Sequence, residues 1–173
     1  MVYTWLPLYL LERFGLTVAA AGFSATFYIQ IASFAGILAG GWFSDRWSRS
    51  RLNARALVQA GGFVVAGPFL FLVGRADSLS VLIPALIAFG IGRGLYDCNV
   101  MPVLCEFVDP QRRATAYGIL NLLGCIAGGA MAAAAGALKS SLGLDGALQV
   151  SGVLLVICAA LLASLRTKHA IAT

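Results

Sequence analysis

Gly41-Trp-Phe-Ser-Asp45-Arg46-Trp-Ser-Arg49-Ser-Arg51 is the stretch that decides how the chain is arranged. It separates two runs, residues 20–43 and 56–74, that contain no Asp, Glu, Lys or Arg. Between those runs Asp45, Arg46, Arg49, Arg51 and Arg55 crowd together. Runs of about twenty apolar residues match a helix crossing a hydrocarbon layer of roughly 30 Å. A charge cluster between two of them marks a chain that turns back at a membrane surface.

Working outward, the whole chain has the same character. It is 60% hydrophobic and 11% charged, where a soluble domain carries about 25% charged residues. In lipid every backbone polar group must be paired within the protein, so the runs are helices or a closed barrel. Barrel strands alternate polar and apolar residues, and these runs do not. The fold class is therefore an all-α, multi-pass membrane protein, a single transmembrane domain over residues 1–173. The spans are expected at 1–11, 17–44, 54–74, 79–104, 114–138 and 147–165, the first only half the required length. A helix beginning at Met1 and leaving the membrane near Glu12-Arg13 would start at mid-bilayer, so the expectation is that the chain continues upstream. Cys98, Cys105, Cys125 and Cys158 lie inside apolar runs without a CxxC pair and read as small buried hydrophobes.

Alternating helices sort the basic residues into two sets. Arg46, Arg49, Arg51, Arg55, Arg112, Arg113, Arg166 and Lys168 fall on one side, and Arg13, Arg75 and Lys139 on the other. The positive-inside rule places the richer set, and with it the C-terminus, in the cytoplasm. The net charge of +5 thus follows from topology, with the bilayer as partner and no nucleic acid.

Within the fourth span lies Phe89-Gly-Ile-Gly-Arg93-Gly-Leu-Tyr96-Asp97-Cys-Asn99. Arg93 falls near the bilayer centre, where a charge costs several kcal/mol and must face the interior or a water-filled cavity. Arg93 and Asp97 are four apart and can pair on one helix face. Two readings follow. One is a site in which Arg93 holds an anionic group by a forked pair of hydrogen bonds and Asp97 carries a proton or serves as counter-ion. The other is an ion pair that locks two helices. Tyr96, Asn99, Gln30, Tyr28, Asn121 and Tyr3 are further candidates for lining such a cavity. Gly90, Gly92 and Gly94 sit in a membrane helix with no preceding strand, so they indicate close helix packing and not a dinucleotide loop. Gly36-x-x-x-Gly40 gives the second span a similar smooth stripe. Glu106, Arg112 and Arg113 form either a cytoplasmic gate latch or a solvated interfacial ion pair. His169, the sole histidine, lies in the tail, and no nucleophile–base pair or metal-ligand cluster sits at helix depth, so no enzyme activity, cofactor or metal is expected.

In the opening stretch, Arg46 and Arg49 can pair with Asp45, with helix-end carbonyls or with lipid phosphate, and Gly41 would let a neighbouring helix approach. By residue types alone the loop need be no more than a topology signal. Its spacing, Gly41-x-x-x-Asp45-Arg46-x-x-Arg49-x-Arg51, resembles the cytoplasmic-loop signature of the major facilitator superfamily, with Ser48 where that family usually has Gly and Ser50 in place of one basic residue. Trp5-x-Pro7-x-Tyr9-Leu10 looks like the end of the seventh helix in organophosphate and organic-anion members. Gly40-Gly41-Trp42-x-Ser44-Asp45 looks like the end of their eighth, and Thr115-Ala-x-Gly118 with Gly128-Gly129 like their eleventh. The resemblance implies a C-terminal six-helix half with its first helix truncated and an N-terminal half missing. It implies secondary transport, by symport or antiport, of a small organic solute with a coupling proton or ion, in a bacterial inner membrane. The competing reading is a non-transporting scaffold or remnant.

Overall fold

A computed structural model of the chain describes residues 2–51 and 53–164, with side chains described at all of these but 140 and 141. The expected basic tail, with Arg166, Lys168 and His169, lies outside the described residues, as does the last residue of the span expected to end at 165. The described chain is helical throughout: α1 Val2–Phe14, α2 Val18–Ser48, α3 Ala54–Val73, α4 Leu79–Asp97, α5 Val100–Phe107, a single 3-10 turn at Pro110–Arg112, and α6 Arg113–Ala163. Five stretches are long and apolar enough to cross a membrane: Val18–Ser48, Ala54–Val73, Leu79–Phe107, Pro110–Lys139 and Leu142–Ala163.

Local chemistry explains most of the boundaries. Gly15 adopts φ +63° and closes α1 with its N–H on the Leu11 carbonyl at 3.1 Å, a left-handed helix end that favours glycine. Thr17 caps α2, its hydroxyl accepting from the Ala20 N–H at 3.3 Å. At 31 residues α2 is about 46 Å long, so its charged end emerges from the hydrocarbon. The fourth span is broken at Cys98-Asn99, between α4 and α5. Pro102 is the cause: it has no N–H for the Cys98 carbonyl and its ring crowds that group.

An eight-residue turn was expected between 138 and 147. Instead only Gly143 leaves helical geometry, at φ 71° and ψ 174°. Glycine is the residue that reaches this conformation without steric cost, so one position suffices to divide α6 into two arms, one in the membrane-length stretch that ends at Lys139 and the other in the stretch Leu142–Ala163.

The framework is α4 seated between α2 and α3, with the second arm of α6 on the far side of α3. In lipid no hydrophobic effect drives helices together, so close backbone packing must do so. A Cβ on Gly90 would meet the Ile29 carbonyl oxygen at 2.7 Å, and one on Gly94 would overlap the Ser33 carbonyl oxygen. Both therefore face α2. A Cβ on Gly92 would meet the backbone of Gly62 and Ala66, each at 2.6 Å, so Gly92 faces α3. Gly67 and Gly152 bring α3 and the second arm of α6 equally close. The predicted contact stripe Gly36-x-x-x-Gly40 lies along α4, near Ile91 and Leu95.

Polar ties add to this packing. Ser44, on α2, donates to Asn99 Oδ1 at 2.5 Å, and Asn99 Nδ2 donates to the Leu95 carbonyl at 3.2 Å. Both residues are buried, so the Asn99 side chain fills the break in the fourth span and binds it to α2. A double-mutant cycle of Ser44→Ala and Asn99→Ala is expected to give a coupling of about 0.5–2 kcal/mol in unfolding. Additive losses would show that the pair is not coupled. Around α1, Tyr9 Oη donates to the Val73 carbonyl at 3.0 Å, Arg13 pairs with Asp77 at 2.5 Å and Glu12 with Lys139 at 2.6 Å.

The first arm of α6 is almost wholly exposed. It is held to α1 by Trp5, whose Nε1 donates to the Ala132 carbonyl at 2.9 Å, and by the Glu12–Lys139 pair. None of the four cysteines is fully buried as expected: Cys98 and Cys105 are half-buried, and Cys125 and Cys158 are exposed. The gaps beside the loosely packed arm open onto them.

Candidate functional site

Arg93 is the midpoint of the span Leu79–Phe107. Its guanidinium points towards α1 and α2. Nε lies 3.3 Å from Asp97 Oδ2, one turn on. Nη1 donates to the Tyr3 hydroxyl and, at 3.1 Å, to Gln30 Oε1. The Tyr3 hydroxyl also donates to Gln30 Oε1 at 3.1 Å, and the guanidinium carbon stands 4.9 Å from the Tyr3 ring centroid, within cation–π range. Three helices thus converge on one cation. Nη2 has no hydrogen-bond partner among the described residues. The side chains of Arg93 and Asp97 are 32% and 35% exposed, so both remain open to a ligand.

Two cavities meet at Asp97. One, of about 480 Å³, is lined by α1, α3, α4 and both arms of α6, with Arg93 and Asp97 in an otherwise largely apolar wall. Tyr96 stacks on Phe63 at 4.4 Å between centroids and forms part of that wall. The other, of about 390 Å³, lies between α4 and the first arm of α6 and is bordered by Tyr96, Asp97, Tyr117 and Asn121. Asp97 therefore borders both spaces while paired to the cation.

Of the residues singled out in the sequence, Arg93, Asp97, Tyr3 and Gln30 come together, Tyr96 lines both cavities and Asn121 lines the second. Asn99 does not join them, being committed to Ser44 and the break in the helix. Tyr28 is half-buried and packs against the core, edge-on to Phe27. Ser44 escaped notice as a bonding group, although it continues the four-residue row of Gly36 and Gly40 that predicted the α2–α4 contact.

In the loop between α2 and α3, Asp45 pairs with Arg55, at 3.6 Å, and not with Arg46 or Arg49, for which helix-end carbonyls and lipid phosphate were the other partners offered. The start of α3 folds back towards the end of α2, whereas Arg46 and Arg49 are exposed. A Cβ on Gly41 would touch nothing within 4 Å, while one on Gly40 would meet Cys98 Sγ at 2.7 Å; the close approach belongs to Gly40. Arg51 lies 5.6 Å from the Trp47 ring. At the next loop on this side, Glu106 is half-buried and Arg112 exposed. Arg113 donates to the carbonyls of Cys105, at 3.2 Å, and Val108, at 3.3 Å. It thereby satisfies carbonyls that the end of α5 leaves without helical partners.

A bundle of apolar, glycine-packed helices of membrane-crossing length, with a charge cluster midway along one of them, is that of a multi-pass membrane protein. The sequence model of the Major Facilitator Superfamily matches residues 1–172, and the chain belongs to that superfamily. It is a transporter of that class, with the all-helical membrane fold the family implies. A search of curated proteins found no match.

Proposed function

We propose that the chain is the C-terminal six-helix half of a secondary active transporter that moves a small organic solute, an organic anion or a sugar derivative, by alternating access. The reading rests on Arg93. A guanidinium at mid-span, held by Tyr3 and Gln30 and 3.3 Å from the Asp97 carboxylate, is a costly group that anion binding explains. The free Nη2 offers the second arm of a forked contact to a carboxylate or similar group. Asp97, released when the solute takes its place, serves as the site for a coupling proton. Residues Gly41 to Arg51, with the Asp45–Arg55 pair, act on conformation from the cytoplasmic side of a bacterial inner membrane, and the C-terminus lies on that side.

In such transporters the two halves rock about a site at their interface. The 173-residue chain reconstituted alone is accordingly expected to show no solute counterflow, and co-reconstitution with a complementary six-helix half to restore it. Counterflow by the chain alone would contradict the half-transporter assignment.

A further inference from the structure

We infer that the cavity of about 390 Å³ between α4 and the first arm of α6 is a water-filled path. Along it a proton passes between Asp97 and the aqueous side where α5 ends and α6 begins. This rests on the reading of Asp97 above as the site for a coupling proton, and adds how the proton reaches it.

Helix geometry sets the polar groups at graded depths. At about 1.5 Å per residue, Asp97 lies about 6 Å beyond Arg93, the midpoint of its span, towards α5. The midpoint of the span Pro110–Lys139 falls between Gly124 and Cys125. Asn121 is therefore about 5 Å, and Tyr117 about 11 Å, from mid-depth on the same side as Asp97. Half a hydrocarbon layer is roughly 15 Å, so Tyr117 stands close to its boundary. Tyr117, Asn121 and Cys125 are four apart and share one face of the arm. All three line the cavity, with Tyr96 and Asp97 opposite.

Neither the Tyr117 hydroxyl nor the Asn121 amide has a hydrogen-bond partner among the described residues. At this depth an unpartnered polar group costs several kcal/mol unless water reaches it. Water stays where there is room and two to four polar partners, which Asp97, Asn121 and Tyr117 provide. Successive groups along the arm stand about 6 Å apart, the reach of one water bridging through two hydrogen bonds of about 2.8 Å. An amide neither gains nor loses a proton near neutral pH, so Asn121 is a positioning residue that holds the water between Asp97 and Tyr117. The Tyr117 hydroxyl both donates and accepts. On loading, the Asp97 carboxylate takes a proton from the water beside it, that water takes one from its neighbour, and the last comes from the aqueous side. One carboxylate becomes one carboxylic acid, and release runs in reverse. Arg93, Tyr96, Tyr117, Cys125 and Cys158 are the other titratable side chains lining the two cavities at Asp97 among the described residues, and none has to change charge.

Infrared spectroscopy of the chain in phosphatidylcholine nanodiscs tests this. Protonated Asp97 is expected to give a carbonyl band between about pH 4 and 8 that Asp97→Asn removes, and the shift of that band on rapid mixing with D2O times the exchange of its proton. Asn121→Leu keeps the size of the side chain and removes the anchor, and is expected to slow exchange at least about tenfold. Tyr117→Phe removes one hydroxyl and is expected to act in the same direction, which covers the case that Asn121→Leu fails to insert. Asn121→Ser restores a polar group and leaves room for water, and is expected to exchange within about threefold of the parent. Leu154→Trp, in the wall of the cavity beside Arg93, is expected to leave exchange within about twofold. Cys125 supplies a second readout: its reaction with a charged thiosulfonate needs water at the thiol, and is expected to slow at least about fivefold in Asn121→Leu.

Exchange unchanged in both Asn121→Leu and Tyr117→Phe, or slowed by Leu154→Trp in their place, overturns the route while leaving Asp97 a proton site. Slowing that Asn121→Ser shares in full marks a structural effect and overturns it too, as does Cys125 reacting equally fast in Asn121→Leu and the parent. The absence of any Asp97 carbonyl band across the pH range overturns the proton-site reading itself, and the route with it.

Discussion

Arg93→Gln in a transporter containing these six helices is expected to lower uptake by at least about 100-fold, equivalent to roughly 2.7 kcal/mol. Glutamine is shorter and uncharged, so the change removes the charge and the fork while keeping a polar side chain. Arg93→Lys keeps the charge but not the planar pair of donors, and is expected to retain more uptake than Arg93→Gln. The competing role, an ion pair that only locks helices, makes a different forecast. Removing one partner would leave Asp97 uncompensated and lower the yield of inserted, folded protein, and adding Asp97→Asn would restore both yield and uptake. Uptake unchanged in Arg93→Gln at normal membrane levels would remove Arg93 from the site.

Gly94→Leu is expected to abolish assembly of the bundle. A Cβ at this position would overlap the Ser33 carbonyl oxygen and stand 2.7 Å from the Ile37 nitrogen and 2.8 Å from the Gly36 carbonyl carbon. All three are backbone atoms, so no side-chain rotation relieves the contact and α4 must separate from α2. By helix propensity alone the change should help, by about 1 kcal/mol. The clash reverses that sign, and its cost belongs with the exceptional losses above about 4 kcal/mol. Gly61→Leu is the control, because a Cβ there meets nothing within 4 Å. Size-exclusion profiles and thermal melts in detergent would compare them. A Gly94→Leu protein that elutes and melts like the parent would show that the α2–α4 contact is less close than described.

The sequence made the spans legible because lipid imposes one demand on all of them, and charge-free runs such as 20–43 meet it without ambiguity. The pairing of α2 with α4 could be anticipated from glycines four apart. The break at Cys98-Asn99 was hidden because Pro102 sits in an apolar run, where prolines at 68 and 84 interrupt nothing. The tightness of the turn at Gly143 was hidden because several polar and small residues nearby read equally well as loop. At the site, Arg93 and Asp97 announced themselves through the cost of charge at mid-depth. Tyr3 and Gln30 were chosen only as polar groups in apolar spans, and their meeting with Arg93 depends on how α1 and α2 lie against α4. Asn99 and Asn121 carry the same functional group in similar surroundings. Only the placement of Ser44 opposite one of them separates a structural amide from one that faces a cavity. Charges at the water boundary were the least legible, since Asp45 had Arg46, Arg49, Arg51 and Arg55 within reach along the chain.

The glycines of α4 also restrict how the bundle can move. With Gly90 and Gly94 against α2 and Gly92 against α3, rotation of α4 about its own axis would drive larger side chains into backbone on both sides. α2, α3 and α4 therefore travel as one rigid body. The first arm of α6 keeps the most freedom, being joined to α1 through Trp5 and the Glu12–Lys139 pair, whereas Tyr9 and Arg13 tie α1 to Val73 and Asp77. Any swing of that arm alters the second cavity and with it the access to Asp97.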